Sequence, residues 1–310
     1  MSIRDEPRSL SSALLEMAQA YRQSTILIAA CQLDVFTHLA HGPLGAEALA
    51  QGCGVPARGL RRLLNACVVV DLLEKEGDTY RNTPIADAFL VKGKPGYMGH
   101  FITLGSEQYE AWGRLIQAIR EDGPVNPHSA DALGTLPPER IQRYVEGLYD
   151  LGKRYGVAIA DRVDLTHARQ MLDVAGGSGI YSIIMAGQVS VRSCNYYRDD
   201  LGSGYDVVLL SNSLQTEGPQ TCQMLLRKAF NGLVPGGQLF IHGVMPNSDR
   251  VSPPQPALFQ MQMLLAFPEG DAYPAEEVCA WTQGAGFADL SVTPLPSPAF
   301  STLITARKPA

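Results

Sequence analysis

The residues with the clearest chemical potential form a glycine-rich turn with an acid just before it. Residues 170–179 read Gln-Met-Leu-Asp-Val-Ala-Gly-Gly-Ser-Gly, an apolar run that ends in closely spaced glycines. Glycines at 176, 177 and 179 let the main chain adopt positive φ and approach a ligand closely. The amides that follow open a helix, where unpaired donors and the helix dipole favour polar or anionic groups. The segment therefore predicts a site for a nucleotide-like cofactor.

The acid, Asp173, narrows the class of cofactor. Dinucleotide enzymes need G-x-G-x-x-G, and the third glycine of that pattern is replaced here by Ser182. An acid followed by closely spaced glycines instead resembles the cofactor loop of S-adenosylmethionine (SAM) methyltransferases.

The elements around this loop indicate an α/β protein with a separate N-terminal part. Apolar residues recur at helical spacing over 10–40, and two further helices are predicted over 44–52 and 56–70. Residues 72–83 then predict a β-hairpin with Gly-Asp as its turn, which completes a winged-helix module. From residue 170 onward strands and helices alternate, as in a doubly wound Rossmann-like sheet. Strands are predicted over 170–175, 189–194, 205–211, 237–244, 289–295 and 301–307, and helices over 180–187, 219–232 and 275–285.

Two interpretations of the winged helix follow from its sequence. The module could bind DNA through Arg58, Arg61 and Arg62, or it could be a dimerisation scaffold whose apolar helices cross a two-fold axis. The helix over 56–70 is heavily apolar and the chain carries a net charge of −6, which argues against a nucleic-acid or anionic-membrane partner. We therefore expect dimerisation.

The chain as a whole resembles one family. It is similar to the small-molecule O-methyltransferases that include the plant phenylpropanoid and acetylserotonin enzymes, and it looks like a bacterial member. The resemblance runs from about residue 13 to the C-terminus. Its most specific blocks are Tyr205-Asp-Val-Val-Leu-Leu-Ser-Asn, Leu233-Val-Pro-Gly-Gly-Gln-Leu-Phe-Ile, Met261 to Glu269, Trp281-Thr-Gln-Gly-Ala-Gly-Phe and Leu303-Ile-Thr-Ala-Arg-Lys-Pro.

The resemblance implies three parts: a winged-helix dimerisation domain over 1–95, a helical linker over 96–165 that lines the substrate cavity, and a SAM-binding catalytic domain over 166–310. It also implies the sites. Residues implied to bind the cofactor are Asp173, Gly176, Gly177, Gly179, Asn195, Tyr196, Ser211 and Asn212. Residues implied to line the acceptor pocket, with core packing as the alternative for each, are Tyr109, Trp112, Met261, Met263 and Phe267.

One unit of the resembled family has no counterpart here. Only nine residues, 180–188, separate the glycine loop from the block that the family uses as its third strand. The second strand, whose terminal acid grips the ribose, should lie between them. Either the protein has lost this βα unit, or a segment of the natural chain is absent near 188–189. Asp199 and Asp200 could replace the ribose acid, or they could be turn residues.

The catalytic base of the family also departs from its pattern. A histidine usually removes the acceptor proton, and its position is Gln215, whose amide cannot act as a base near neutral pH. In the family an acid–aromatic pair follows this histidine, and here Thr216-Glu217 replaces that pair. A different histidine, His242, ends a predicted strand nearby. His242 could take the proton, or it could be a hydrogen-bonded histidine under the sheet.

These observations predict a SAM-dependent methyltransferase that acts, most readily at oxygen, on a small apolar aromatic or polyketide-like metabolite. Alternatives are an enzyme of this fold that uses SAM for decarboxylation, hydroxylation or rearrangement, and a homologue inactive in methylation. We expect a homodimer, no metal, no nucleic-acid partner and no membrane partner.

A cytoplasmic location is also expected. The six cysteines are scattered, which favours buried thiols in a reducing compartment. Residues 1–8 are charged and lack the apolar stretch of a signal peptide. No run of 18 apolar residues suggests a membrane span.

Overall fold

The computed structural model describes residues 10–125, 137–296 and 300–310. Residues 1–8, on which the expectation about a signal peptide depends, lie outside these ranges. The chain divides into two compact units, Met1–Gln108 and Tyr109–Ala310. The boundary lies inside the segment that the sequence predicts as a helical linker. No described helix combines the length and the apolar character needed to cross a bilayer.

The first unit has the predicted order of helices followed by a hairpin. The hairpin is confirmed, since Leu73 pairs with Asn82 and Glu76 with Thr79, and Gly77 supplies the positive φ of its turn. Its elements are α1 Leu10–Gln19, α2 Tyr21–Gln32, α3 Val35–His38, β1 Leu44–Gly45, α4 Ala46–Cys53, α5 Ala57–Val69, β2 Leu73–Glu76, β3 Thr79–Asn82 and α6 Pro84–Leu90, with α7 Gly99–Trp112 running into the second unit.

Helix α5 shows why this unit folds as it does. Its buried residues, Leu60, Leu64 and Cys67, recur every three to four positions and so share one face. That face packs in a core with Phe36 and Tyr80. Of the arginines that could have contacted DNA, Arg61 forms an exposed ion pair with Glu47 of α4.

The second unit is built on a five-stranded sheet. Strands β4, β5 and β6 are parallel, and β8 and β7 continue the sheet antiparallel, in the order β4-β5-β6-β8-β7. Its elements are α8 Leu115–Glu121, α9 Pro138–Ala160, β4 Met171–Val174, α10 Ile180–Met185, β5 Tyr205–Ser211, α11 Pro219–Gly232, β6 Leu233–Gly243, α12 Pro254–Ala266, α13 Ala275–Gly284, β7 Ala288–Pro294 and β8 Thr302–Arg307.

The inner strand β5 is buried on both faces, as expected of a parallel strand between two layers of helices. Val208 and Leu210 pack against α11 and α13 on one face. Val207 and Leu209 pack against α9 and α10 on the other.

The predicted strand over 189–194 is wrong. Residues 186–204 form neither helix nor strand, and β4 is an edge strand of the described sheet. A parallel crossover needs about a dozen residues or more, and the chain provides nine between the glycine loop and this segment. Val191 is 95% exposed, so the apolar residues of the segment do not bury a strand face.

Helices α9 and α10 cross at very short distance, and two glycines of α9 make this crossing possible. A Cβ at Gly152 would lie 2.4 Å from Ile180 Cγ2, and a Cβ at Gly156 would lie 2.6 Å from Ile184 Cδ1. The crossing fixes α10, and with it the position of the glycine-rich loop that precedes α10.

Candidate cofactor and acceptor site

The loop after β4 has an unusual main-chain conformation. Ala175, Gly177 and Gly179 all have positive φ, at 58°, 54° and 71°. Gly176 does not adopt positive φ, and its role is different. A Cβ there would lie 3.0 Å from Asp173 Oδ2, so glycine permits the close approach of the acid. Since α10 has only six residues, its dipole contributes little, and the loop itself provides the cradle.

Asp173 is held beside this loop with one oxygen unsatisfied. Its Oδ2 accepts a hydrogen bond from Ser182 Oγ at 3.0 Å. Its Oδ1 is buried and has no hydrogen-bond partner among the described residues. Burial raises the pKa of this carboxyl to about 6, although the hydrogen bonds from Ser182 oppose the shift. A buried acceptor without a donor is costly, so a ligand that brings an N–H group here would be stabilised.

A second unusual conformation lies at the end of the neighbouring strand β5. Asn212 has φ of 54°, and its main-chain N–H donates to the carbonyl of His242 at 2.8 Å. Non-glycine residues with positive φ cost about 1–3 kcal/mol each and cluster at functional sites. Ala175 and Asn212 therefore mark the carboxyl ends of β4 and β5 as the candidate site.

Gln215 is fixed by its amide group across the same strand ends. Its Nε2 donates to Asn212 Oδ1 at 3.1 Å, and its Oε1 accepts from the main-chain N–H of Val244 at 3.1 Å. Asn212 Nδ2 donates in turn to the hydroxyl of Tyr181 at 3.3 Å. This chain of amides is rigid and neutral, and it contains no group that can remove a proton near neutral pH.

His242 is the penultimate residue of β6, and it is 1% exposed. Its Nδ1 lies 2.9 Å from Ser211 Oγ, and its Nε2 lies 3.0 Å from Ser301 Oγ. Burial lowers the pKa of this imidazole to about 3. Because both ring nitrogens have protein partners, the structure favours the interpretation of a neutral, hydrogen-bonded histidine over that of a base.

The candidate replacements for the ribose acid serve as turn residues. Asp199 Oδ2 accepts from the main-chain N–H of Asn195 at 2.7 Å, and Asp200 Oδ1 accepts from that of Gly202 at 2.8 Å. Asn195 Oδ1 accepts from the N–H of Tyr197 at 3.0 Å. These local bonds support the second of the two interpretations of Asp199 and Asp200.

Glu217 has hydrogen-bond partners that the sequence did not predict. It is 7% exposed, and its Oε1 accepts from the hydroxyls of Tyr196 and Tyr197, the latter at 2.7 Å. The sequence offered one signal, an acid just before Gly-Pro in the turn that follows a buried strand. Its partners are about twenty positions away and could not be identified from spacing.

The predicted acceptor-side residues lie on neighbouring elements. Trp112 Nε1 donates to Gln262 Oε1 of α12 at 2.8 Å. Met263 of α12 is buried, whereas Met261 and Phe267 are partly exposed. Tyr109 is 44% exposed. The role of these residues in binding an acceptor stays a prediction, and for Met263 burial favours packing.

An α/β sheet with a glycine loop after its first strand, preceded along the chain by a winged helix, defines the class: a cofactor-binding enzyme fold with a dimerisation module. Residues 15–92 match the family model described as the O-methyltransferase dimerisation domain. Over nearly its whole length, the chain is also similar to curated small-molecule O-methyltransferases.

Two relatives and one solved structure show the extent of this similarity. The 8-O-methyl transferase TcmO of tetracenomycin polyketide synthesis in Streptomyces glaucescens is 29% identical and covers 96% of each chain. The 3-hydroxy-5-methyl-1-naphthoate 3-O-methyltransferase of Streptomyces sahachiroi is 27% identical and covers 95% of this chain and 94% of its own. Human N-acetylserotonin methyltransferase in complex with SAM matches with a TM-score of 0.87 at 24% identity over 100% of both chains.

The length of these matches bears on the missing unit. The comparison with TcmO spans 329 residues, whereas this chain has 310. Part of that relative therefore has no counterpart in this chain, in line with the short connection between β4 and β5.

Proposed function

We propose that this protein transfers the methyl group of SAM to an oxygen atom of a small, largely apolar acceptor with an aromatic or polyketide-like skeleton. The observation that carries the proposal is Asp173 Oδ1, a buried acceptor with no hydrogen-bond partner among the described residues, beside a loop in which Ala175, Gly177 and Gly179 have positive φ. Two relatives named for a polyketide and a naphthoate substrate support the acceptor class.

The residues at the strand ends fit this cofactor. The main-chain amides at Gly176, Gly177 and Gly179 would hold the carboxylate of its aminocarboxylate group, and Asp173 Oδ1 would accept a hydrogen bond from the ammonium. Ser211 and Asn212 border the same crevice from the end of β5. Bound SAM supplies an electrophilic methyl group on a positively charged sulfur.

The acceptor's own acidity replaces the missing base. Gln215 holds the two strand ends together but cannot remove a proton, and His242 has both ring nitrogens engaged. An acceptor whose hydroxyl ionises near neutral pH needs only alignment with the methyl group. The preferred substrates are therefore acidic phenols and enols.

The functional protein is a cytoplasmic homodimer. The matched dimerisation domain supports this assembly, and so do the exposed apolar side chains of α1, among them Leu14 and Met17. The six cysteines are free thiols, as expected in a reducing compartment.

Two measurements, calorimetry and mass spectrometry, test the proposed function. Calorimetry should show one SAM or S-adenosylhomocysteine (SAH) molecule bound per chain. Mass spectrometry should then show a methyl group added to acidic phenols of a panel, and slower addition to phenols of ordinary acidity. Absence of binding at millimolar SAM would contradict the proposal.

The presence of Gln215 at the position of the usual base favours a second candidate function. Without the usual base, the fold could use SAM as a structural or charged group in decarboxylation, hydroxylation or rearrangement. Binding of SAM with no methyl transfer to any acidic phenol would favour this alternative.

A further inference from the structure

The segment 186–204 pairs with no strand that the structure describes, yet part of it is firmly packed. Leu201 is 3% exposed, and Cys194 and Tyr196 pack against the core formed by β5 and α11. In a complete sheet, ladder hydrogen bonds would hold such a segment. Here its position must be determined by other contacts.

Two cationic side chains supply part of these contacts. Lys228, on α11, donates from Nζ to the main-chain carbonyls of Tyr196 and Asp199, each at 2.7 Å. Arg192 donates from Nη2 to the carbonyl of Leu201 at 2.9 Å. All three bonds are charge-assisted and therefore stronger than neutral ones.

Glu217 supplies further hydrogen bonds to this segment. Its carboxylate accepts from the hydroxyls of Tyr196 and Tyr197, whose rings lie 4.5 Å apart. The main chain of Glu217 is itself fixed, because its carbonyl accepts from the buried hydroxyl of Tyr273 at 2.7 Å. The carboxylate thus ties two consecutive tyrosines to the turn that leads from β5 into α11.

We infer that Glu217 and Lys228 are positioning residues that hold the Tyr196–Tyr197 segment at the carboxyl end of the sheet, where it forms the adenosine side of the cofactor site. The inference rests on the proposed function. Tyr197 is 44% exposed, so part of its side chain is in contact with solvent. Side-chain anchors here do the work that the absent strand pairing would do.

Variants of the two anchors separate this role from general stability. Glu217→Gln removes the charge but keeps an acceptor, and Lys228→Met removes every bond from Nζ to the main chain. Arg227→Met is the matched control, since Arg227 is the exposed neighbour of Lys228 on the same helix. Tyr197→Phe is a mild variant that deletes a single hydroxyl.

Hydrogen–deuterium exchange of the ligand-free protein tests the anchors directly. Amides of residues 189–201 should exchange faster in Lys228→Met and Glu217→Gln, while those of β5 and β6 remain protected. Equal exchange in wild type and both variants would overturn the anchoring role.

Calorimetry with SAH tests the cofactor role. The anchor variants should bind SAH about 10-fold to 100-fold more weakly, as expected for lost charge-assisted bonds, and Tyr197→Phe should be weakened less. Arg227→Met should bind as the wild type does. Wild-type affinity in both anchor variants would overturn the assignment of this segment to the adenosine side. A wild-type protein that binds no SAH would instead overturn the proposed function. In that case hydrogen–deuterium exchange would still decide whether Glu217 and Lys228 anchor the segment.

Discussion

Asp173 combines an unfavourable charge with an open hydrogen-bonding position. Its pKa is raised from 3.8 to about 6, chiefly by burial. The protonated form is therefore favoured by folding, and the stability it contributes below pH 3.8 is lost as the pH rises through about 6. At neutral pH the folded protein therefore keeps a buried, ionised carboxylate, and we propose that a bound ligand offsets this cost.

Substitution of Asp173 should thus raise stability and weaken function. We predict that Asp173→Asn increases the free energy of unfolding at pH 7 by about 1–3 kcal/mol and weakens SAH binding by about 10-fold or more. Urea denaturation and calorimetry measure the two effects. Asp206→Asn is the control, because that carboxylate already accepts main-chain N–H groups of Arg169 and Gln170; this variant should neither gain stability nor lose affinity for SAH. A loss of stability in Asp173→Asn would contradict this view of the site.

His242 predicts a pH dependence of the opposite sign. The folded protein binds a proton on this imidazole only near pH 3, compared with 6.5 for an ordinary histidine. Its contribution to stability is therefore present above 6.5 and is lost as the pH falls towards 3, by up to about 1.4 kcal/mol per pH unit. In His242→Asn the free energy of unfolding should fall less steeply between about pH 6.5 and pH 4. Identical slopes in wild type and variant would show that His242 is not held neutral.

The sequence identified some of these residues and missed the partners of others. Asp173 and the glycines could be predicted because they lie within ten positions of each other. The partners of His242, Ser211 and Ser301, could not, because they come from strands and loops far apart in the chain. Ala175 gave no sign of its positive φ, since alanine has no preference for that conformation.

At the scale of elements, the crossing of α9 and α10 determines where the glycine loop lies. We predict that Gly152→Ala destabilises the protein by about 1–3 kcal/mol and weakens SAH binding, because its Cβ would push Ile180 and the start of α10 away. Gly187→Ala, just beyond α10, is the matched control, since no atom lies within 4 Å of the added Cβ. Chemical denaturation should separate the two variants, and equal stability would contradict the tight crossing.

Most elements followed from periodicity because each buries a face of its own sequence. The parallel strands of the catalytic part read as continuous apolar runs, and α5 shows helical spacing. The strand predicted over 189–194 failed because its residues resemble a strand locally, while no described strand pairs with them. Strand formation depends on neighbours, which local sequence does not reveal.

At the scale of the whole molecule, the assembly should depend on α1. In one chain Leu14 is 66% exposed and Met17 is 74% exposed, which is unusual for side chains of this size on one helix. Light scattering should give about twice the chain mass of 33.5 kDa for the wild type. The double variant Leu14→Glu/Met17→Glu should shift the protein towards the monomer. A monomeric wild type would contradict the proposed homodimer.

The missing βα unit makes a further prediction about the entire chain. The anchoring of residues 194–201 by Lys228 and Glu217 is expected of a chain that truly lacks the unit. Intact-mass spectrometry of the protein from its natural gene should therefore give 33.5 kDa. A protein heavier by about 3 kDa, the mass of roughly one βα unit, would show that the sheet has a further strand and that β4 is not its edge.

The most direct measurement for the central claim is a crystal structure of the protein with SAH. We predict that the aminocarboxylate group of SAH lies along the main chain at Gly176–Gly179, with its ammonium donating to Asp173 Oδ1. Electron density for SAH at any other place, or a crevice closed by side chains after soaking at saturating SAH, would contradict the assignment.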